Sequence, residues 1–186
     1  MQGALKGYLE SGEYRVGDYR GIGNAGLVLL GNIPKEFQNE YKNVFSTLPD
    51  IFKESALLDR FHGFIKGWEL PRIKEGLKAE GWSFNVEYFT EVLHRLRDDI
   101  QYRAVVDDIL EIPPNADTRD IEAIKRLCTG FLKILFPNVN KAEDIEREEF
   151  EKYCLKPAMK MREIIRYQLY LMDKEYSKQI PNIKVK

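Results

Sequence analysis

The stretch GLVLLGNI, residues 26–33, decides how the first half of this sequence is read. Leu27, Val28, Leu29 and Leu30 form an apolar run with no polar face, and the run is short. It suits a central strand of a parallel sheet covered on both sides. At its end, Gly31-Asn32 must turn the chain and present a polar side chain. Upstream, residues 4–11 predict a short helix that stops at Gly12. EYRVGDYRGIGNAG, residues 13–26, then predicts a hairpin or long loop with its glycines at the turns. Downstream, 34–52 reads mostly as loop with a short helix near 36–43, 51–61 as a helix and 62–66 as a short strand. Gly67 to Ser83 holds both tryptophans, Pro71 and several glycines, and reads as a structured connector.

Beyond Asn85 the periodicity changes. Residues 85–98, 99–110, 118–135 and about 145–173 all read as helices. In the third, Ile121, Ile124, Leu127, Phe131, Leu132 and Leu135 recur at intervals of three and four. Thr118 or Asp117 can cap its start, and Pro137 reinforces its stop. IPPNAD, Ile112 to Asp117, is a rigid connector. The closing IPNIKVK reads either as a short strand or as a loose tail. The expected fold is an α/β part over 1–84, a helical bundle over 85–175 and a tail over 176–186, mostly helical overall.

The chain has 186 residues, 44% apolar and 32% charged, with a formal net charge of -1. That balance fits a globular protein and gives no overall basic footprint for nucleic acid, though a local patch is compatible with it. No run approaches 18 apolar residues and the N-terminus lacks the apolar core of a signal peptide. Cys128 and Cys154, the two cysteines, both lie in helix-like sequence, which suits buried thiols better than a disulfide framework. A cytoplasmic setting without membrane contact is the expectation. ALKGYLES reads as helix almost from residue 1, as in a piece of a longer protein, although an overlapping start codon would give the same appearance.

Chemistry that the chain could perform alone is hard to find in it. There is no GxxxxGK[ST] loop, and the glycines of GDYRGIGNAG lack both the lysine and a preceding strand. His62 and His94 are 32 residues apart, with no HExxH or CxxC, so no metal site is expected. No GxSxG elbow appears. The pairs Asp98-Asp99 and Asp107-Asp108 read as solvated helix faces. In SALLDRFHG, residues 55–63, Arg60 is open to three readings: a surface arginine, a local ion pair with Asp59 or Glu54, or a group aimed outside the chain.

Four stretches in order carry a resemblance: ALKGYLESGEY at 4–14, LVLLGNI at 27–33, ALLDRFHGFIKGWELP at 56–71 and TRDIEAIKRLCTGFLKILFP at 118–137. The third is the most specific. Together they resemble the ATPase region of the Lon-protease-like proteins of BREX phage-exclusion systems, the BrxL family of AAA+ ATPases. The resemblance implies the second half of an AAA+ core joined to its helical lid, with the phosphate loop and acidic motif N-terminal to residue 1 and a Lon-like domain beyond residue 186. It implies ATP and magnesium as cofactors of the longer protein, a ring of identical subunits, and encircled double-stranded DNA. For these 186 residues alone it implies neither tight ATP binding nor hydrolysis nor peptidase activity.

By that resemblance, Asn32 matches the sensor-1 residue, whose carboxamide can bond the γ-phosphate or orient the attacking water; a cap or Asx turn after Gly31 is the alternative. Arg60 matches an arginine finger acting on a neighbouring subunit's nucleotide. Arg119 matches sensor 2, and a cation at a helix N-terminus is mildly unfavourable on dipole grounds. Arg126 is the alternative for that role. Arg15 and Arg20, set among Tyr14 and Tyr19, suit phosphate contact and base stacking at a central channel. Two other readings stand beside this one: a fragment of an ATP-dependent unfoldase that threads protein, or a non-catalytic helical interaction module whose Leu155, Met159, Arg162 and Arg166 would serve a partner surface.

Overall fold

The computed structural model describes residues 2–39, 41–78 and 80–186. Helix α1, Gln2–Ser11, ends at Gly12, whose φ of +76° lies in the left-handed region that glycine enters without strain. Strands β1, Glu13–Val16, and β2, Tyr19–Ile22, pair antiparallel with Arg15 opposite Arg20. Their two-residue turn has Gly17 at φ +61°.

The predicted strand over 27–31 does not form. Among the described residues the only pairings are β1 with β2 and a second two-stranded ribbon near the C-terminus. A strand exists only through its ladder, and no described segment forms one with these residues. Its side chains are left in solvent, Val28 at 82% and Leu30 at 95% exposure. The strand predicted over 62–66 is likewise a single backbone bond, from Phe64 N to Met161 O at 3.1 Å. The helix predicted over 51–61 is broken into a 3-10 turn, Asp50–Lys53, and helix α2, Ser55–Leu58. The helix expected near 36–43 is a 3-10 turn, Lys35–Phe37.

The second half follows its periodicity closely. Helices α3, Val86–Leu96, α4, Gln101–Ile109, and α5, Thr118–Leu135, occupy three of the predicted spans. Asp117 caps α5, its carboxylate accepting from Arg119 N at 2.9 Å and Asp120 N at 3.3 Å. The last span is composite: α6, Arg147–Phe150, a π-helical turn over Glu151–Leu155, and α7, Lys156–Met172. Pro157 accounts for the wide turn, because its ring crowds the carbonyl four residues back and it has no N–H to donate. Val106, Ile109, Ile124, Cys128, Leu132, Phe150 and Cys154 are fully buried in one core. Each such side chain contributes roughly 1.5–3 kcal/mol through removal from water. The tail joins this core. Strand β3, Leu110–Glu111, pairs with β4, Lys184–Val185, and Ile183 is buried beneath it.

A second cluster joins the halves. Val44, Phe45 and Leu58 pack against Ile165 and Leu169 of α7, rimmed by Phe52, Phe61 and Phe64. The fully buried Gln168 accepts from Val44 N and donates to Lys42 O, both at 2.9 Å. The architecture is a mixed α/β N-terminal region, sparse in regular structure, docked on a helical C-terminal bundle.

Candidate ionic site at the junction of the two halves

The chain leaving α2 enters an array of arginines and aspartates. Asp59 is buried, and its carboxylate is shared: Oδ1 accepts from Arg162 Nη2 at 2.7 Å and Oδ2 from Arg119 Nη1 at 2.8 Å. Arg162, on α7, has no exposed surface. Its Nε donates to Asp120 Oδ1 at 2.6 Å, and its Nη1 to the carbonyls of Asp59 at 3.0 Å and Phe61 at 2.7 Å. One turn later, Arg166 pairs with Asp120 and, at 3.1 Å, with Asp117. The face of Tyr176 lies 5.8 Å from its guanidinium carbon. A buried charge is tolerable only when its donors and acceptors are satisfied, and here they are.

Arg60 turns away from the array towards α1, its side chain 15% exposed. It holds Glu10 of α1 through Nη2 at 2.7 Å and Nε at 3.2 Å, and donates back to Ala56 O. Neither of the local partners open to it takes it: Asp59 belongs to Arg162 and Arg119, and Glu54 to Lys6. The Arg60 guanidinium lowers the Glu10 carboxyl below its usual range, with a further contribution from Arg119. Hydrogen bonding to Asp59 raises the Arg119 pKa. Around Asp117, burial pushes the carboxyl up but the Arg166 bond and charge prevail and lower it. Arg126 is exposed and donates from Nη1 to His62 Nε2 at 3.1 Å. Burial, with Arg126 and Arg162 nearby, pushes His62 down to about 4.

Arg119 bonds Asp59, whose chain neighbour Arg60 holds Glu10, while Arg126, two turns beyond Arg119 on α5, meets His62. Asn32 lies outside the array and is exposed. Arg15 donates to Gly17 O at 3.0 Å and Arg20 pairs with Glu13 at 2.8 Å, both on the exposed hairpin. Among the described residues, no group of three or more acidic, histidine or cysteine side chains could hold a metal ion. Asp107, read as part of a solvated face, is paired with Arg103 and Lys125. Cys128 and Cys154 are buried free thiols, with Cys154 pushed up to about 12 by burial, so neither is a ready nucleophile.

Leu155, Arg162 and Arg166 do not form the partner surface expected of them: all three are buried within the chain. Sequence reasoning also missed Asp120 and Glu10 as partners. A signal was available, since Arg162 and Arg166 sit four apart on the face that carries Ala158, Ile165 and Leu169. Two cations on an apolar stripe call for buried acids.

The family model for Lon-like protease BrxL-like proteins, ATPase domain, matches residues 1–182. The Lon-like protease BrxL of Escherichia coli O9:H4 (strain HS) is 27% identical over 168 residues, 89% of this chain and 23% of that protein. The Lon-like protease BrxL of Bacillus cereus (strain H3081.97) is 27% identical over 154 residues, 81% of this chain and 22% of that protein. The chain thus spans less than a quarter of the length of these curated relatives. No helix among the described residues is long and apolar enough to cross a membrane.

Proposed function

The chain belongs to the ATPase-domain family of Lon-like protease BrxL-like proteins, and on that ground we propose that it supplies part of an ATP-hydrolysing site built between subunits of a ring. Residues 1–84 are the later part of an AAA+ core and 85–175 its lid. Arg60 is the finger that reaches a neighbour's nucleotide, Arg119 the sensor-2 cation, with Arg126 two turns further along α5 as the alternative for that role, and Asn32 the sensor-1 carboxamide. ATP with magnesium is the cofactor, held with residues outside this chain. Double-stranded DNA passes the hairpin, where Arg15 and Arg20 offer exposed cations.

One observation carries the reading for Arg60. A finger needs a rigid base and a charged tip at the surface. Asp59 and Phe61, on either side of Arg60, are fastened to the buried Arg162, while the Arg60 side chain, 15% exposed, meets Glu10, whose 58% exposed side chain is its opening to the surface. A guanidinium so placed can exchange one carboxylate for the developing charge on a transferred phosphoryl group.

The test is steady-state ATP hydrolysis by the full-length gene product, wild type against Arg60→Ala. Turnover should fall by about 10³-fold or more with ATP binding retained. Mixing the variant with subunits unable to bind nucleotide should restore part of the activity, because each supplies what the other lacks. Normal hydrolysis by Arg60→Ala would remove Arg60 from the site.

A further inference from the structure

We propose that Arg162 is the positioning residue for Arg60, so that the finger is mechanically a part of helix α7. The inference rests on Arg60 acting as a finger and adds what aims it. The geometry is specific to the residues flanking Arg60. A single guanidinium nitrogen, Arg162 Nη1, takes the carbonyl before Arg60 and the carbonyl after it, at 3.0 and 2.7 Å. Nη2 of the same group takes the Asp59 side chain at 2.7 Å, and Nε reaches Asp120 near the start of α5 at 2.6 Å. One buried side chain therefore holds the 59–60 and 61–62 peptides, the 60–61 peptide between them is held by Phe61 N–H donating to Leu58 O at 3.0 Å, and only the Arg60 side chain is left to move.

A second, uncharged contact fixes the same loop to the same helix. Gly63 lies so near α7 that a Cβ there would stand 2.8 Å from Met161 Cβ and 3.3 Å from Leu127 Cδ1. Phe64 N bonds Met161 O beside it, at 3.1 Å. Residues 59–64 thus follow α7 at positions 161 and 162. Arg119, bonded to the other oxygen of Asp59, joins the start of α5 to this unit. A shift of α7 carries Arg60 with it, and the planar fork of arginine makes the join, since the compact lysine ammonium cannot span two carbonyls and two carboxylates.

The experiment compares Arg162→Lys, Gly63→Ala and Arg60→Ala in the full-length gene product, measuring kcat and KM for ATP. Circular dichroism melts report whether each variant folds. Arg162→Lys keeps the charge and loses the fork; Gly63→Ala keeps every charge and lifts the loop off α7. Both should lower kcat about tenfold or more while KM stays within about twofold, the signature of a misplaced group acting only in the transition state. If both folded variants turn over at the wild-type rate while Arg60→Ala is inactive, the positioning role is overturned and the finger stands. A rise in KM that accounts for the whole loss also overturns it. A fully active Arg60→Ala overturns the finger, and the positioning role with it. Should Arg162→Lys fail to fold, Gly63→Ala decides.

Discussion

Leu30 and Leu132 are the same side chain in two different situations. The first lies beyond the β1–β2 hairpin at 95% exposure; the second is fully enclosed by the helical core. The regions around them differ in the same way. In the N-terminal region Val16, Ile22, Val28, Ile73, Trp82 and Phe84 face solvent, whereas the bundle encloses Val106, Ile109, Ile124 and Phe150 completely. Helices satisfy their backbone locally and need only one packed face, so a periodic sequence can build its own core. A strand needs a neighbour for every hydrogen bond, and an apolar sequence alone cannot provide one.

The contrast can be broken most severely at the join. Arg162→Ala would leave Asp59 to Arg119 and Asp120 to Arg166 and take the Arg162 donor from the carbonyls of Asp59 and Phe61, and a loss of about 3–5 kcal/mol is expected in chemical denaturation of the chain. Leu132→Ala should cost about 2–5 kcal/mol by the same measurement, and Leu30→Ala less than about 0.5 kcal/mol, which sharpens the contrast directly. Comparable losses at both leucines would mean that the N-terminal region has a core of its own.

pH probes the boundary from a different side. His62 is held near 4 when folded and titrates near 6.5 when unfolded, so between those values the unfolded chain binds the extra proton. Stability should therefore fall as pH drops from about 7 towards 4, by about 1–2 kcal/mol after allowance for the part of the ring that meets water. His62→Asn should flatten that slope in melts taken across the range. Asp117→Ala removes the α5 cap, and about 1 kcal/mol should be lost at neutral pH. Glu10→Gln is expected to move the melting curve little, since the Glu10 side chain is 58% exposed and its pair with Arg60 is screened on that side.

The helices were legible because their information is local. Asp117 as cap, the α5 stripe and the break before Pro137 all lie within a few residues of what they control. The N-terminal region was less legible, because whether Leu27–Leu30 becomes a strand depends on what lies alongside. For the site, DRF at 59–61 stood out, but its partners lie far away in sequence, Asp120 and Arg162 being brought in by α5 and α7. No local rule links Arg60 to Glu10 across fifty residues. What was readable and overlooked was the pair of arginines on the apolar face of α7.

The π turn at Glu151–Leu155 bears on how this protein can change length. A wide turn holds one residue more than an α-helical turn needs, and the helix on either side keeps its phase. Removing one residue from 151–155 together with Pro157→Ala should let the turn close into regular helix with Arg162 and Arg166 still directed at Asp120. The same deletion a few residues later, between Pro157 and Met161, would rotate those arginines by about 100° away from their acids. Relatives that are one residue shorter here are expected to place the gap within this turn and to lack the proline at 157, and an aligned set of their sequences would show this as a deletion about two helical turns before the arginine pair.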